Sequence, residues 1–463
     1  MQTNDIEIEV LSEEEKREYR RQRRIRNQRM AIAGLIVSII VLVGVVVGGI
    51  FLINRQAEEK RQQQEIEEQL AQLEAEALVE EAAGETSEGN MEEISGENGE
   101  ETIEPADQEE YTEEEVLDDV VESIISEMSL EEKVAGLFIV TPEAITGVDT
   151  AVQAGDGTKK ALEKYPVGGL IYFTKNIQSE DQIKKMVENS ISYCKYPLFI
   201  AADEEGGEVS HLAESLKLDN VGDMADIGST GDLTKAYEAM KTVGTYMTTY
   251  GFNLNFGPVA DVLTNEDNTS IGDRSFGSDA NVVAGMVTSS MNGLEETGVT
   301  ACIKHFPGLG DASDDTHNGL AVIDKSLDEL KQTELIPFVS AIENGANMIM
   351  VGHMSLPQIV GDNTPVTMSK EVISDLLRSE LGFNGVVITD AMNMGAITEY
   401  YGADEAAIKA FKAGADMVLM PEDFELAYEG VIAAVQDGTI SEDRINNSLK
   451  RVFRIKYADS VGE

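Results

Sequence analysis

Val299-Thr300-Ala301-Cys302-Ile303-Lys304-His305-Phe306-Pro307-Gly308-Leu309-Gly310 is the stretch whose reading decides the fold. Its first five residues carry no charge and include Val, Thr and Ile, as a strand buried on both faces requires. A lysine and a histidine follow at once, then a Pro-Gly-x-Gly turn. Reactive groups just past the C-terminal end of a buried strand are the pattern of a parallel α/β protein. The chain has only four histidines, and a second, His317, closes the same segment in Asp315-Thr316-His317. Imidazole titrates nearest neutrality, at about 6.5, so this clustering points to acid/base chemistry.

Working outward, further apolar runs occupy residues 134–140, 167–173, 197–203, 252–261, 346–353, 385–392 and 415–421. With 299–306 they recur roughly every 40 residues, which is room for a strand, a helix and two loops. A helix is predicted over 179–194, with Ile183, Met186, Val187 and Ile191 inward, and another over 327–344, with Leu330, Leu335 and Phe338 inward. Two more are predicted at 423–436 and 441–457, the second N-capped by Ser441. Residues 117–463 are therefore expected to form a (β/α)8 barrel, with a doubly wound open sheet as the alternative. Nothing after residue 421 leaves room for a second folded domain, so the catalytic groups are expected from the barrel or a partner chain.

The first part of the chain reads differently. Residues 1–30 are polar, with Lys16, Arg17, Arg20, Arg21, Arg23, Arg24, Arg26 and Arg29 in the second half. Residues 31–53 carry no charge. At about 1.5 Å per residue they span a hydrocarbon core of about 30 Å, so a transmembrane helix is expected. A cleaved signal peptide would have a shorter apolar core and a small-residue cleavage site, whereas Asn54-Arg55-Gln56 follows directly. The basic flank predicts a cytoplasmic N-terminus and a single-pass cell-membrane protein whose bulk lies outside. A nucleic-acid surface is excluded by the net charge of −51 and by the paucity of aromatics among the basic residues. Residues 54–116 read as a stalk. Ile66, Leu70, Leu73 and Leu78 stand at loosely helical spacing, and an acidic Gly/Glu/Ser segment follows that repels itself and stays extended. Self-association of this stalk is left open. Of the two cysteines, Cys302 reads as core packing, and no pairing with Cys194 follows from sequence.

The chemistry-bearing residues gather behind the expected strands. Asp203-Glu204-Glu205-Gly206-Gly207 follows the third. The fourth ends at Asp261 and leads to Gly272-Asp273-Arg274-Ser275-Phe276. Lys304 and His305 follow the fifth, His353 the sixth, and Asp390 closes Val386-Val387-Ile388-Thr389. In a barrel these ends converge on one face, giving a pocket of carboxylates, Lys, Arg and imidazoles suited to a polyhydroxylated substrate. Asp390 is positioned to attack an anomeric carbon. In extended backbone Asp315 and His317 project to the same side, so Asp315 is able to fix the tautomer of His317 as a general acid/base. No H-x-H or H-E-x-x-H spacing occurs, and Lys304 opposes a cation, so no metal or other cofactor is expected.

At these residues the chain resembles glycoside hydrolase family 3, and specifically its single-domain bacterial β-N-acetylhexosaminidases. The stretches that carry the resemblance are residues 304–310 with Asp315-Thr316-His317, residues 271–277, Asp203 with Glu205-Gly206-Gly207, Ile388-Thr389-Asp390-Ala391-Met392, and residues 128–133. It implies a (β/α)8 barrel and a retaining mechanism, with Asp390 as nucleophile and His317 as acid/base oriented by Asp315. It also implies that Asp203, Arg274, Lys304 and His305 hold sugar hydroxyls. The expected activity is that of an exo-acting β-N-acetylglucosaminidase on amino-sugar oligosaccharides of cell-wall or chitin type. Two departures stand out: Glu208 and His211 occupy positions where the family usually has arginines, and Leu309 replaces a frequent histidine. Rival readings are a β-N-acetylglucosaminide phosphorylase, a β-glucosidase, and a sugar-binding sensor without catalysis.

Overall fold

The computed structural model describes residues 112–313 and 319–458. Eight parallel strands close a barrel: β1 (Phe138–Val140), β2 (Gly169–Ile171), β3 (Phe199–Ala202), β6 (Leu254–Asn255), β7 (Thr300–Phe306), β8 (Met348–Val351), β9 (Val386–Ala391) and β10 (Met417–Leu419). Around the barrel the order is β1-β10-β9-β8-β7-β6-β3-β2, and a two-stranded antiparallel hairpin, β4 (Glu204–Gly206) with β5 (Val209–Ser210), rides on the end of β3. Each barrel strand lies inside one of the apolar runs, and the open-sheet alternative is ruled out by the β1–β10 pairing that closes the circle.

The strands are shorter than the runs. In 252–261 the ladder ends at Asn255, because Pro258 has no N–H to donate. The backbone beyond it instead receives bonds from β7, Cys302 N–H to Gly257 O at 3.1 Å and Lys304 N–H to Pro258 O at 3.2 Å. In 134–140 the first residues belong to a helix, Leu130–Ala135, whose N-cap Ser129 exchanges bonds with Glu132 in a capping box.

Helices cover the outside of the barrel. Glu180–Tyr193 buries Ile183, Met186, Val187 and Ser190. Ile191 is a correction to the sequence reading: it is 44% exposed, because it stands at the edge of the stripe centred on 183, 187 and 190. The single helix expected over 327–344 is two, Leu327–Gln332 and Ile336–Glu343. The chain breaks at Thr333 and restarts with Pro337 in the first turn, where its missing N–H costs nothing. Leu330, Leu335 and Phe338 are buried as expected. Asp423 and Ser441 cap the last two helices, Phe424–Gln436 and Glu442–Tyr457.

The floor of the barrel is tied by one carboxylate. Asp416, fully buried ahead of β10, accepts from Arg378, Arg451, Ser448 and the Val387 N–H, with Arg444 beside it. The C-terminal helix is thereby fastened to two strands. Against that helix lies Glu113–Glu127, held by Lys450 to Glu122 and by Arg454 to Glu114 at 2.6 Å and Asp118 at 3.0 Å. This helix begins ahead of residue 117, where the sequence places the start of the domain. Among the described residues no helix is long and apolar enough to cross a membrane. The span expected at 31–53 and the stalk to residue 111 lie outside them.

Candidate active site

The C-terminal ends of β3, β7, β8 and β9 bring the charged residues together. Past β3, side chains alternate in direction. Asp203 and Glu205 turn to one side and both take the ammonium of Lys304, each at 2.6 Å. Glu204, between them, turns away to Tyr246 on the helix Leu233–Thr249. The hairpin behind them turns on Gly206 and Gly207, both at positive φ, where a Cβ on Gly207 would meet the Asp223 carboxylate at 2.1 Å. Arg274, from the loop after β6, grips Glu205 with a two-pronged fork at 2.7 and 2.8 Å and gives a third N–H to Ser270 O. Asp203, Lys304, Glu205 and Arg274 are thus one alternating chain of charge.

The electrostatics follow from this chain. Burial raises the Glu205 carboxyl, but Lys304 and Arg274 outweigh it and hold the group well below the usual carboxylate range. Burial lowers the Lys304 ammonium, and Asp203 and Glu205 reverse that, leaving it above its ordinary value. Lys304 is therefore a cation throughout the physiological range despite being 3% exposed.

His305 is organised separately. Its Nδ1 lies 2.7 Å from Asp261 Oδ2, while Asp261 Oδ1 accepts the Leu309 N–H at 2.6 Å. One buried carboxylate so orients the imidazole and secures the Pro-Gly-Leu-Gly turn. A Cβ on Gly310 would stand 2.0 Å from Val262 O, so only glycine lets the turn lie against that strand end. The peptide bonds Lys304–His305 and Phe306–Pro307 are cis.

Asp390 is the penultimate residue of β9, half-buried, with its Oδ1 accepting the following Ala391 N–H at 2.7 Å. Burial pushes its carboxyl up, but the rings of His353 and His305, the Ala391 N–H and the Lys304 ammonium together bring it below its ordinary value. It is an ionised carboxylate in a cationic setting.

Asp203, Arg274, Lys304, His305 and Asp390 are thus gathered at one barrel end. Asp315 and His317 lie outside the described residues. The chain on either side of them is tied to the same end, Ala312 O accepting from Asn265 Nδ2 at 3.1 Å and Ala321 O from the Ser355 N–H at 2.7 Å. Sequence reasoning assigned no role to Glu205, Asp261 or His353, although each stands at a strand end that it noted. His211, at one of the departures, bonds through Nδ1 to Thr174 Oγ1 at 3.0 Å and packs edge-on against Phe173.

The pattern of the Glycosyl hydrolase family 3 N terminal domain matches residues 129–455, which takes in every barrel strand and all of these side chains. The chain belongs to glycosyl hydrolase family 3. Relatives include beta-hexosaminidase A of Pseudoalteromonas piscicida, 32% identical over 327 residues, which are 64% of this chain and 54% of the relative. A family 3 β-N-acetylglucosaminidase from Paenibacillus superposes with a TM-score of 0.66 at 35% identity, over 73% of this chain and 64% of that one. A β-N-acetylhexosaminidase from Beutenbergia cavernae does so with a TM-score of 0.65 at 29% identity, over 71% and 99%. The chain thus spans about half the length of the Pseudoalteromonas relative.

Proposed function

We propose that this family 3 member is a retaining, exo-acting β-N-acetylglucosaminidase that removes terminal N-acetylhexosamine from cell-wall or chitin-type oligosaccharides. Residues 31–53 tether it to a membrane with the barrel on the outer side. The observation that carries the reading is the ionised Asp390 carboxylate, open to solvent on one side and set at the barrel end that also holds Lys304, Arg274 and Asp203. Names borne by its relatives, beta-hexosaminidase and β-N-acetylglucosaminidase, support the same substrate class.

The bonding capacities suit a sugar. Lys304 has three N–H donors and spends two on Asp203 and Glu205, keeping one for a hydroxyl. Asp203 spends Oδ1 on Lys304 and keeps Oδ2. His305 has its Nδ1 bound to Asp261 and keeps Nε2. In the reaction Asp390 attacks the anomeric carbon while His317, oriented by Asp315, protonates the departing oxygen. His317 then takes a proton from water, which displaces Asp390, and two inversions leave the configuration unchanged.

The test is turnover of an aryl N-acetyl-β-glucosaminide and an aryl β-glucoside side by side by the full-length chain, Asp390→Ala and His317→Ala. The expected result is preference for the amino sugar, β-configured free sugar as first product in phosphate buffer, and a loss of about 10³-fold or more in either variant. Wild-type rates in Asp390→Ala would remove it from the mechanism, and sugar 1-phosphate would make the enzyme a phosphorylase. For the tether, the full chain is expected in the membrane fraction and a chain lacking residues 31–53 in the soluble one; equal partitioning of the two refutes it.

A further inference from the structure

Phe173 belongs to none of the stretches that carry the family resemblance, yet the barrel register seats it beside Asp203. β2 and β3 pair with Ile171 opposite Ala201, and the Tyr172 N–H continues that ladder to Ala201 O at 3.0 Å. Two residues further on, Phe173 stands level with Asp203, and residues two apart along extended backbone share a face. Tyr172, between, turns outward, its hydroxyl 3.1 Å from Ser190 Oγ on the covering helix Glu180–Tyr193. Phe173 therefore faces the barrel mouth from the same side as Asp203, and it is half-buried.

The ring is fixed from two sides. Asn176, fully buried, accepts the Phe173 N–H through Oδ1 at 3.0 Å and gives its own N–H to Phe173 O at 2.8 Å. Its Nδ2 is bound to Glu143 Oε1 at 2.7 Å and Ala151 O at 2.9 Å, so the loops after β1 and β2 are fastened together. The second side is His211, at the end of the hairpin, whose N–H lies 3.5 Å from Asp203 O. Its ring meets Phe173 edge to face, with centroids 5.2 Å apart and planes at 71°. Such a contact covers at most one face of the Phe173 ring. His211 Nδ1 is spent on Thr174 Oγ1 at 3.0 Å, and Nε2 has no partner among the described residues. Asp203 spends Oδ1 on Lys304 and keeps Oδ2.

An aromatic ring, an imidazole nitrogen and a carboxylate oxygen are thus set side by side at the mouth. A gluco-configured pyranose carries its hydroxyls around its edge and its axial C–H bonds on its faces. It is gripped best by a flat apolar surface under the ring with polar groups about the rim. We propose that Phe173 and His211 are specificity-determining residues, forming the wall on which the sugar held by Asp203 rests: the Phe173 ring takes one C–H face of that sugar, and His211 Nε2 bonds a hydroxyl. This rests on the barrel mouth being the sugar site. Where the family usually has an arginine, His211 brings a flat ring, so binding on this side comes from contact with a ring face. The wall touches bonds that the reaction neither makes nor breaks. Its contribution is therefore the same in substrate and transition state, and it is felt in KM and not in kcat.

The experiment is steady-state kinetics of the full-length wild type, Phe173→Leu, Phe173→Tyr and His211→Ala on an aryl N-acetyl-β-glucosaminide and on N,N′-diacetylchitobiose. Leucine keeps the apolar bulk and loses the ring face, so KM should rise about tenfold on both substrates with kcat within about twofold of wild type. Tyrosine keeps the ring face and should hold KM within about twofold. His211→Ala loses one hydrogen bond and should raise KM about fivefold. A folded Phe173→Leu with wild-type KM, or one that loses kcat at unchanged KM, overturns the proposal. Equal losses in Phe173→Leu and Phe173→Tyr overturn it too, because the role would then be packing. A rise confined to the disaccharide does so as well, because the wall would then lie beside the next sugar. If Phe173→Leu does not fold, His211→Ala decides, and an unchanged KM there overturns the proposal. A wild type that turns over neither substrate and shows no binding of N-acetylglucosamine by ligand-observed NMR overturns the functional reading, and this wall with it.

Discussion

Glu204→Gln should make the enzyme more stable in alkali than its parent. Glu204 is fully buried on the outer side of β4, where Oε2 accepts the Tyr246 hydroxyl at 2.6 Å and Oε1 accepts the Leu212 N–H. No cation meets it among the described residues. Burial, with Asp203 adding to it, pushes its carboxyl from 4.5 up to about 7 against the opposing Tyr246 and backbone bonds. A carboxyl raised on folding favours the folded state when protonated. Its contribution is complete below 4.5 and is lost as pH rises through about 7. At about 1.4 kcal/mol per pH unit, the whole effect is about 3 kcal/mol, of which about 2 kcal/mol falls between pH 5.5 and 8.5. Glutamine has the same shape, offers its oxygen to Leu212 and its NH2 to Tyr246, and does not titrate. A barrel of this size gains entropy of about 0.7 kcal/mol/K on melting, so the difference in Tm between variant and wild type should move by about 3 °C over that range, in the variant's favour at the alkaline end. Differential scanning calorimetry at several pH values measures it, starting well above the isoelectric point of about 4.2. A Tm difference that stays constant from pH 5.5 to 8.5 would refute the argument that this carboxyl is desolvated without a counter-charge.

Two further substitutions test the charge networks. Asp416→Ala leaves Arg378, Arg444 and Arg451 around an empty centre and should cost about 3–5 kcal/mol in urea unfolding with little change in KM for folded enzyme; a cost below about 1 kcal/mol would show the arginines to be held by their backbone carbonyls alone. Glu205→Gln removes the carboxylate between Lys304 and Arg274 and lets both drift, so kcat/KM should fall about 10²-fold. Because those cations hold Glu205 far below the usual carboxylate range, the loss should be the same from pH 5 to 9; a loss confined to the acid side would contradict that charge assignment.

The barrel was legible because its signal is local. Each strand is an apolar run and each helix an apolar stripe with a cap, so existence and order follow from residues close in sequence. What the runs exaggerated was strand length, since apolarity does not register where a regular ladder stops: Pro258 interrupts the one on β6, and the helix Leu130–Ala135 takes over the start of the first run. The helix over 327–344 failed for a related reason. Its apolar spacing continues through Thr333, and the break is in the backbone, not in the pattern.

Sequence by itself determined the kinds of groups at the site and that they lie at strand ends, because an α/β repeat sends every such end to one face. It could not determine which carboxylate meets which cation. Asp203, Glu204 and Glu205 are consecutive acids of nearly identical chemistry, yet two share Lys304 and the third is buried against Tyr246. Their division depends on side-chain alternation along the extended backbone and on which residues, distant in sequence, line each side. The same holds for His305 with Asp261 and for His353 with Ala391 and Thr367. Coulomb energies and desolvation depend on distances of a few ångströms between elements far apart in the chain, and only the closed barrel sets those distances.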